Sequence, residues 1–268
     1  MKARLLSTTG LIAIVVAAAG SASARQSQPP ANSLTVALSM PTPGFQVGAL
    51  RGRDVVVARG LEIDLARAIA ARMGIRRVRF VNEPVFLRLT AAGPKEWDFA
   101  LAEVTILPQR SARVDFSVPY LRADLGVLAR KNLTPVPKSI AALRRLKLCS
   151  ERGSTGGLAL VNRVKPTRPA QLVPNVSVLL QRVQTGACDA AVFDAPILGA
   201  LRAGAPDRYG PLIGRIATGE QYGAVFEKGS GFRPSVNQAL QALLRNGTVA
   251  KLQRRWLTTN VAKLPLLR

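Results

Sequence analysis

The stretch GLEIDLARAIAARMG, residues 60–74, carries apolar side chains at Leu61, Leu65, Ile69 and Met73. A four-residue repeat puts them on one face, so the spacing predicts an amphipathic helix with a covered side. Glu62 and Asp64 fall in its first turn, where acids suit the positive end of the helix dipole. Gly74 stands where helices stop. Working outward, LTVAL (34–38) reads as a strand before the helix and Val78 to Val81 as a strand after it. A short helix over 86–92 and the strand DFALA (98–102) follow. Strand, helix, strand, helix, strand implies a parallel sheet covered by helices. Residues 39–55, with Pro41, Pro43, Gly44, Gly48 and Gly52, read as a loop.

A second alternation begins at the apolar run 126–129. It reads helix 139–145, strand 146–150, a helix after Thr155, strand 171–173, helix 176–185 and strand 188–193. A helical pattern over 234–257, broken at Gly247, closes the chain. Two such units predict an α/β protein with two lobes.

The first 24 residues read as an address. Lys2 and Arg4 precede the apolar run LIAIVVAAA between Gly10 and Gly20, and Ser21-Ala22-Ser23-Ala24 offers a small-residue cleavage site. That order is a secretory signal peptide over 1–24, too short to span a bilayer. Residues 25–33 are polar and read as a flexible N-terminus. The mature chain is expected to be exported and soluble.

The 268 residues include 38 Lys and Arg, 15 Asp and Glu and no His, for a net charge of +23. Without His, Ser-His-Asp triads, Cys-His dyads and His-rich metal sites are excluded. No metal, no cofactor and no enzymatic activity are expected. The basic residues are spread along the chain with no block of five like charges, so no nucleic-acid partner is expected. Attraction to an acidic ligand or an anionic surface stays open. The two cysteines, Cys149 and Cys188, each sit at a predicted strand. In an exported chain an even count favours a disulfide, with two buried thiols as the alternative.

In α/β sheets, ligands bind beyond the carboxyl ends of the strands. After the strand 98–102 come Glu103, Thr105 and Arg110, and an Arg fork can hold a carboxylate through two bonds. After 146–152 comes Gly153-Ser154-Thr155-Gly156-Gly157, whose free N–H groups at a helix start favour an anion. After 188–193 comes Asp194, placed to hold an ammonium. Taken singly, these are equally a surface Arg, a capping turn and a helix cap. Together they read as a clamp for a zwitterion.

The ordered segments 60–70, 98–121 (DFALAEVTILPQRSARVDFSVPYL), 153–155, 188–195 (CDAAVFDA), 219–229 (GEQYGAVFEKG) and 236–256 resemble family 3 extracellular solute-binding proteins, the periplasmic amino-acid receptors of ABC importers. The resemblance spans 34–257. It implies a type II periplasmic-binding-protein fold, two α/β lobes joined by a two-strand hinge, with lobe 1 as 34–121 plus 219–268 and lobe 2 as 122–218. It implies a monomer in the periplasm that binds a small-molecule amino acid and meets an ABC permease in the inner membrane. Cys149 and Cys188 fall where some receptors of the family carry a cysteine pair.

Carried onto matching positions, Arg110 would bind the ligand α-carboxylate, helped by Thr105, Ser154 and Thr155, and Asp194 the α-ammonium, with a carbonyl near Ala102 or Glu103. Three positions depart from the family. Thr42 replaces a stacking aromatic. The second aromatic falls at Val85 or Phe86, and Phe86 stands in for it or belongs to the core. Glu103 replaces a small residue, and its carboxylate suits an ammonium, a basic side chain or a lobe Arg. Two other readings remain, a receptor for a non-amino-acid solute and a cyclohexadienyl-dehydratase-like enzyme with Glu103 or Glu151 as its acid.

Overall fold

The computed structural model describes residues 32–268, so the expected signal peptide and most of the expected flexible N-terminus lie outside the described residues. The first lobe opens with β1 (Ser33–Leu38), β2 (Val47–Arg51), β3 (Asp54–Arg59), α1 (Leu61–Arg72) and β4 (Arg77–Asn82). It continues with α2 (Phe86–Leu89), β5 (Phe99–Ala100), α3 (Pro108–Ser111) and β6 (Asp115–Phe116). Strand β7 (Leu121–Arg122) crosses to the second lobe: β8 (Leu125–Ala129), α4 (Ile140–Leu143), β9 (Leu148–Glu151), α5 (Thr155–Ala159), β10 (Gln171–Val173), α6 (Val176–Gln184), β11 (Ala190–Asp194), α7 (Ala195–Gly204) and β12 (Leu212–Ile216). Strand β13 (Gln221–Tyr222) crosses back, and β14 (Val225–Phe226), α8 (Arg233–Arg245) and α9 (Thr248–Trp256) complete the first lobe.

The first sheet has the order β2-β3-β4-β1-β5-β14-β6 and the second β10-β9-β11-β8-β12. β7 and β13 pair antiparallel, Leu121 opposite Tyr222, and form the two-strand crossing. β1 runs parallel to both β4 and β5, as the alternation predicts. Leu61, Leu65 and Ile69 bury the predicted face of α1 against this sheet with Leu34, Val36 and Phe99. Burying a Leu or Ile stabilises by about 1.5–3 kcal/mol. In the second lobe Leu125, Val127, Leu148, Val192 and Ile213 share one core.

Three features differ from the sequence reading. Residues 39–55 hold most of a β2–β3 hairpin, not only a loop. Four of the five β2 residues are exposed, so no apolar alternation marks it. The second sheet is mixed, because β8 runs antiparallel to β11 and to β12. Cys188 lies ahead of β11 rather than on it, and Ala191 is the residue opposite Cys149. The bridge Cys149–Cys188 forms all the same, with Cα atoms 6.1 Å apart.

Gly60 positions the site. Its φ is +132°, and a Cβ there would lie 2.1 Å from the Phe45 carbonyl oxygen. Only a residue without a side chain lets α1 start against the turn at Thr42–Gln46. Beyond α9 the chain leaves the first lobe again, whereas the sequence reading kept all of 219–268 in lobe 1. Arg215 N–H donates to Pro265 O (2.7 Å) and Leu267 N–H to Arg215 O (2.9 Å), and Leu267 joins the second-lobe core. No helix among the described residues is long and apolar enough to cross a membrane.

Candidate functional site

Between the lobes lies a cleft of about 810 Å³. The structure brings every site residue of the sequence reading to it: Thr42, Phe86, Ala102, Glu103, Thr105, Arg110, Ser154, Thr155 and Asp194 all line it. Glu151, Arg152 and Phe193 line it too.

Arg110 comes from α3, the short helix that Pro108 opens. Its guanidinium donates to Thr105 O (2.9 Å) on its own lobe and to Gly153 O (3.3 Å) on the other. The guanidinium carbon lies 5.1 Å from the centre of the Phe86 ring, a cation–π stack. A guanidinium has five N–H donors, and these two bonds leave others for a ligand. Burial lowers its basicity, opposed by Asp194 and Glu220.

Asp194 ends β11, where the chain turns into α7, and is 5% exposed. It makes no cap bond to the helix, so its carboxyl is not spent on capping. The Tyr222 hydroxyl donates to its Oδ2. Burial, then the nearby Glu220 carboxylate, pushes Asp194 up to about 7, against the Tyr222 bond and the Arg110 charge. Glu151 is likewise pushed up to about 7, by burial and then by Asp194.

Ser154 plays the structural part. Its Oγ caps α5 by accepting from Gly157 N–H (3.0 Å) and donates to Glu151 O (2.7 Å). Thr105 and Thr155 face one another across the lobes, and their hydroxyls donate to one oxygen of Glu220 (3.2 and 2.7 Å). The protein's own carboxylate thus already engages both hydroxyls. Glu220 went unnoticed as a site residue, although an acid just before the crossing strand was a usable signal.

A second group under the cleft was also missed. Glu62, read from sequence as a dipole partner, is fully buried. It accepts from Gln46 Nε2 (2.6 Å), from Glu103 N–H (2.9 Å) and from the Tyr120 hydroxyl. Glu103 sits above it at φ +49°, a left-handed conformation unusual for a residue with a side chain. Burial first, and then the charge of Glu62, holds Glu103 well above the usual carboxylate range.

Two α/β lobes, a paired crossing and a charged cleft between them define the architecture of a two-lobed solute-binding protein. The family model for bacterial extracellular solute-binding proteins, family 3, matches residues 34–259, and the chain belongs to that family. Over 210 residues it is 26% identical to the arginine-binding extracellular protein ArtP of Bacillus subtilis (strain 168), covering 74% of this chain and 78% of that one. Among solved structures, an ancestral arginine-binding protein bound to arginine has a TM-score of 0.73 at 28% identity, covering 84% of this chain and 98% of the other. The ancestral amino acid-binding protein AncCDT-1, a precursor of cyclohexadienyl dehydratase, has a TM-score of 0.72 at 27% identity, covering 85% and 96%. The fold is that of type II periplasmic binding proteins, and the protein binds a solute.

Proposed function

We propose that the protein captures a polar or charged α-amino acid in the periplasm by closure of its lobes and delivers it to an ABC permease in the inner membrane. One observation carries this reading. Arg110 on one lobe and Asp194 on the other line the same cleft, and among the described residues neither holds an ion pair. In a buried site, each charge is satisfied by an opposite one.

Arg110 takes the ligand α-carboxylate. Thr105 and Thr155 join it to the extent that the ligand displaces Glu220 from their hydroxyls. Asp194 takes the α-ammonium. Closure replaces water by ligand charge and fixed dipoles, where charge-assisted bonds are stronger. A ligand that touches both lobes favours the closed form by its differential affinity for it. A micromolar receptor needs about 8 kcal/mol net, within reach of two charge pairs and several hydrogen bonds. The names of the relatives support the reading.

Arg110→Ala is expected to abolish amino-acid binding by calorimetry while the circular dichroism spectrum stays that of a folded protein. Unchanged affinity refutes the clamp. An enzymatic reading is favoured by one feature, the Glu151 carboxyl held at about 7 in the cleft. Turnover of prephenate or arogenate by the purified protein would establish it. A thermal-shift screen of amino acids, polyamines and organic acids separates the amino-acid reading from other solutes, since a tight ligand raises the melting point.

A further inference from the structure

The chain has more than twice as many basic residues as acidic ones. Acids such as Asp124 and Asp189 hold ion pairs. The acids in and beneath the cleft do not: among the described residues Glu62, Glu103, Glu151, Asp194 and Glu220 form none. In so basic a chain, five unpaired acids at one place point to a positive charge brought from outside.

Of the acids that line the cleft, Asp194 serves the α-ammonium and Glu151 is only half-buried, which leaves Glu103 as the buried one without a task. Glu62 has three hydrogen-bond donors, which offset in part the rise that burial imposes on it. Glu103 lines the cleft at 7% exposure, and its side chain has one protein donor, Gln46 Nε2 at 3.2 Å. That amide has two hydrogens, and two closer acceptors compete for them, Glu62 at 2.6 Å and Leu101 O at 3.0 Å. A carboxyl beside a second acid that is better supplied with donors, shielded from water and itself short of them, favours its neutral form until a cation arrives. Its left-handed backbone is held by its own N–H bond to Glu62, so it is built into the cleft floor.

We propose that Glu103 is the specificity-determining residue of the cleft: it pairs with a second positive charge, the cationic end of a ligand side chain, and releases its proton to solvent as it does so. The O–H bond of the acid breaks, the proton passes to water, and the carboxylate left behind meets a guanidinium or ammonium. The inference rests on the amino-acid reading above and adds its side-chain class.

The groups facing Glu103 are Glu62 from α1, Asp194 from β11, Tyr120 ahead of β7 and Tyr222 from β13. Burial holds both tyrosines neutral. Arg110 and Glu220 flank Asp194 and are common to every ligand. Asp194 itself releases its share of a proton to water when any α-ammonium binds. The informative quantity is therefore a difference between two ligands that share the α-groups.

Calorimetry of the wild-type protein with arginine and with glutamine, in buffers of differing ionisation enthalpy, reads that difference. Arginine is expected to release up to about one proton more than glutamine. Its affinity relative to glutamine should rise with pH, by at most about tenfold per unit. Glu103→Gln should lower arginine affinity at least about tenfold more than glutamine affinity and abolish the extra proton. If that variant fails to fold, the wild-type proton count decides alone. Equal proton release, or binding of glutamine without arginine, overturns the proposal and leaves the amino-acid reading standing. Binding of no α-amino acid overturns both.

Discussion

Asp194 and Glu151 are carboxyls that folding drives toward their neutral forms. In an unfolded chain such groups titrate at about 4. Here burial pushes both up to about 7. Between those values the folded state binds more protons than the unfolded one. Their contribution to stability is full below about 4 and is lost as pH rises through about 7. Asp115 and Asp189, held below their ordinary values despite burial by bonds to Lys228, Gly229, Lys147 and Arg130, act in the opposite sense at lower pH. The clean measurement is the wild-type melting point minus that of Asp194→Asn across pH 4 to 7. The wild type is expected to lose ground to the variant as pH rises, and a flat difference removes the buried-acid account. At this scale the sequence was legible where a polar residue follows a strand, as with Arg110, Thr105 and Asp194. It was silent on Glu62, since an acid in a helix's first turn looks alike exposed or buried. What buries it is the approach of α1 to the Phe45–Gln46 turn at Gly60.

Elements that obey one period were readable, and those shaped by their neighbours were not. α1 shows its apolar face in the sequence, and Gly74 ends it at φ +74° as expected. The β2–β3 hairpin lacks that pattern because its outer strand faces water. The direction of β8 cannot be read from its residues at all, since a strand buried along its whole length looks the same in either sense. α5 shows what a glycine-rich start does beyond offering N–H groups. A Cβ at Gly156 would lie 2.4 Å from Val192 O, so the glycine lets α5 dock on β11, the strand that ends in Asp194. Gly156→Ala is expected to cost about 1–3 kcal/mol in denaturant unfolding through this overpacking. A variant as stable as the wild type would show that α5 has room to move.

On the scale of the whole molecule, the two crossing strands are not the only connections between the lobes. The segment after α9 makes a third crossing, since it starts on the first lobe and ends in the second. Its anchor is Leu267, 1% exposed within the second-lobe core, beside the bonds of Pro265 and Leu267 to Arg215 on β12 and of Arg268 O to Ile140 N–H. A hollow of about 840 Å³ lies along this strap, lined by Leu121, Asp124, Arg215, Gln253 and Asn260 and by none of the cleft's charged groups. A connection there resists any lobe motion that lengthens it, so it bears on how far the cleft opens. Nothing in the sequence shows it, because LPLLR (264–268) is too short for a period and the return to β12 is a property of the folded chain. Leu267→Ala leaves the strap's backbone in place and empties its anchor, which should cost about 2–5 kcal/mol. Hydrogen exchange should then quicken in β12 while α8 and α9 keep their protection. Unchanged exchange in β12 would mean that the last residues lie on the second lobe without holding it.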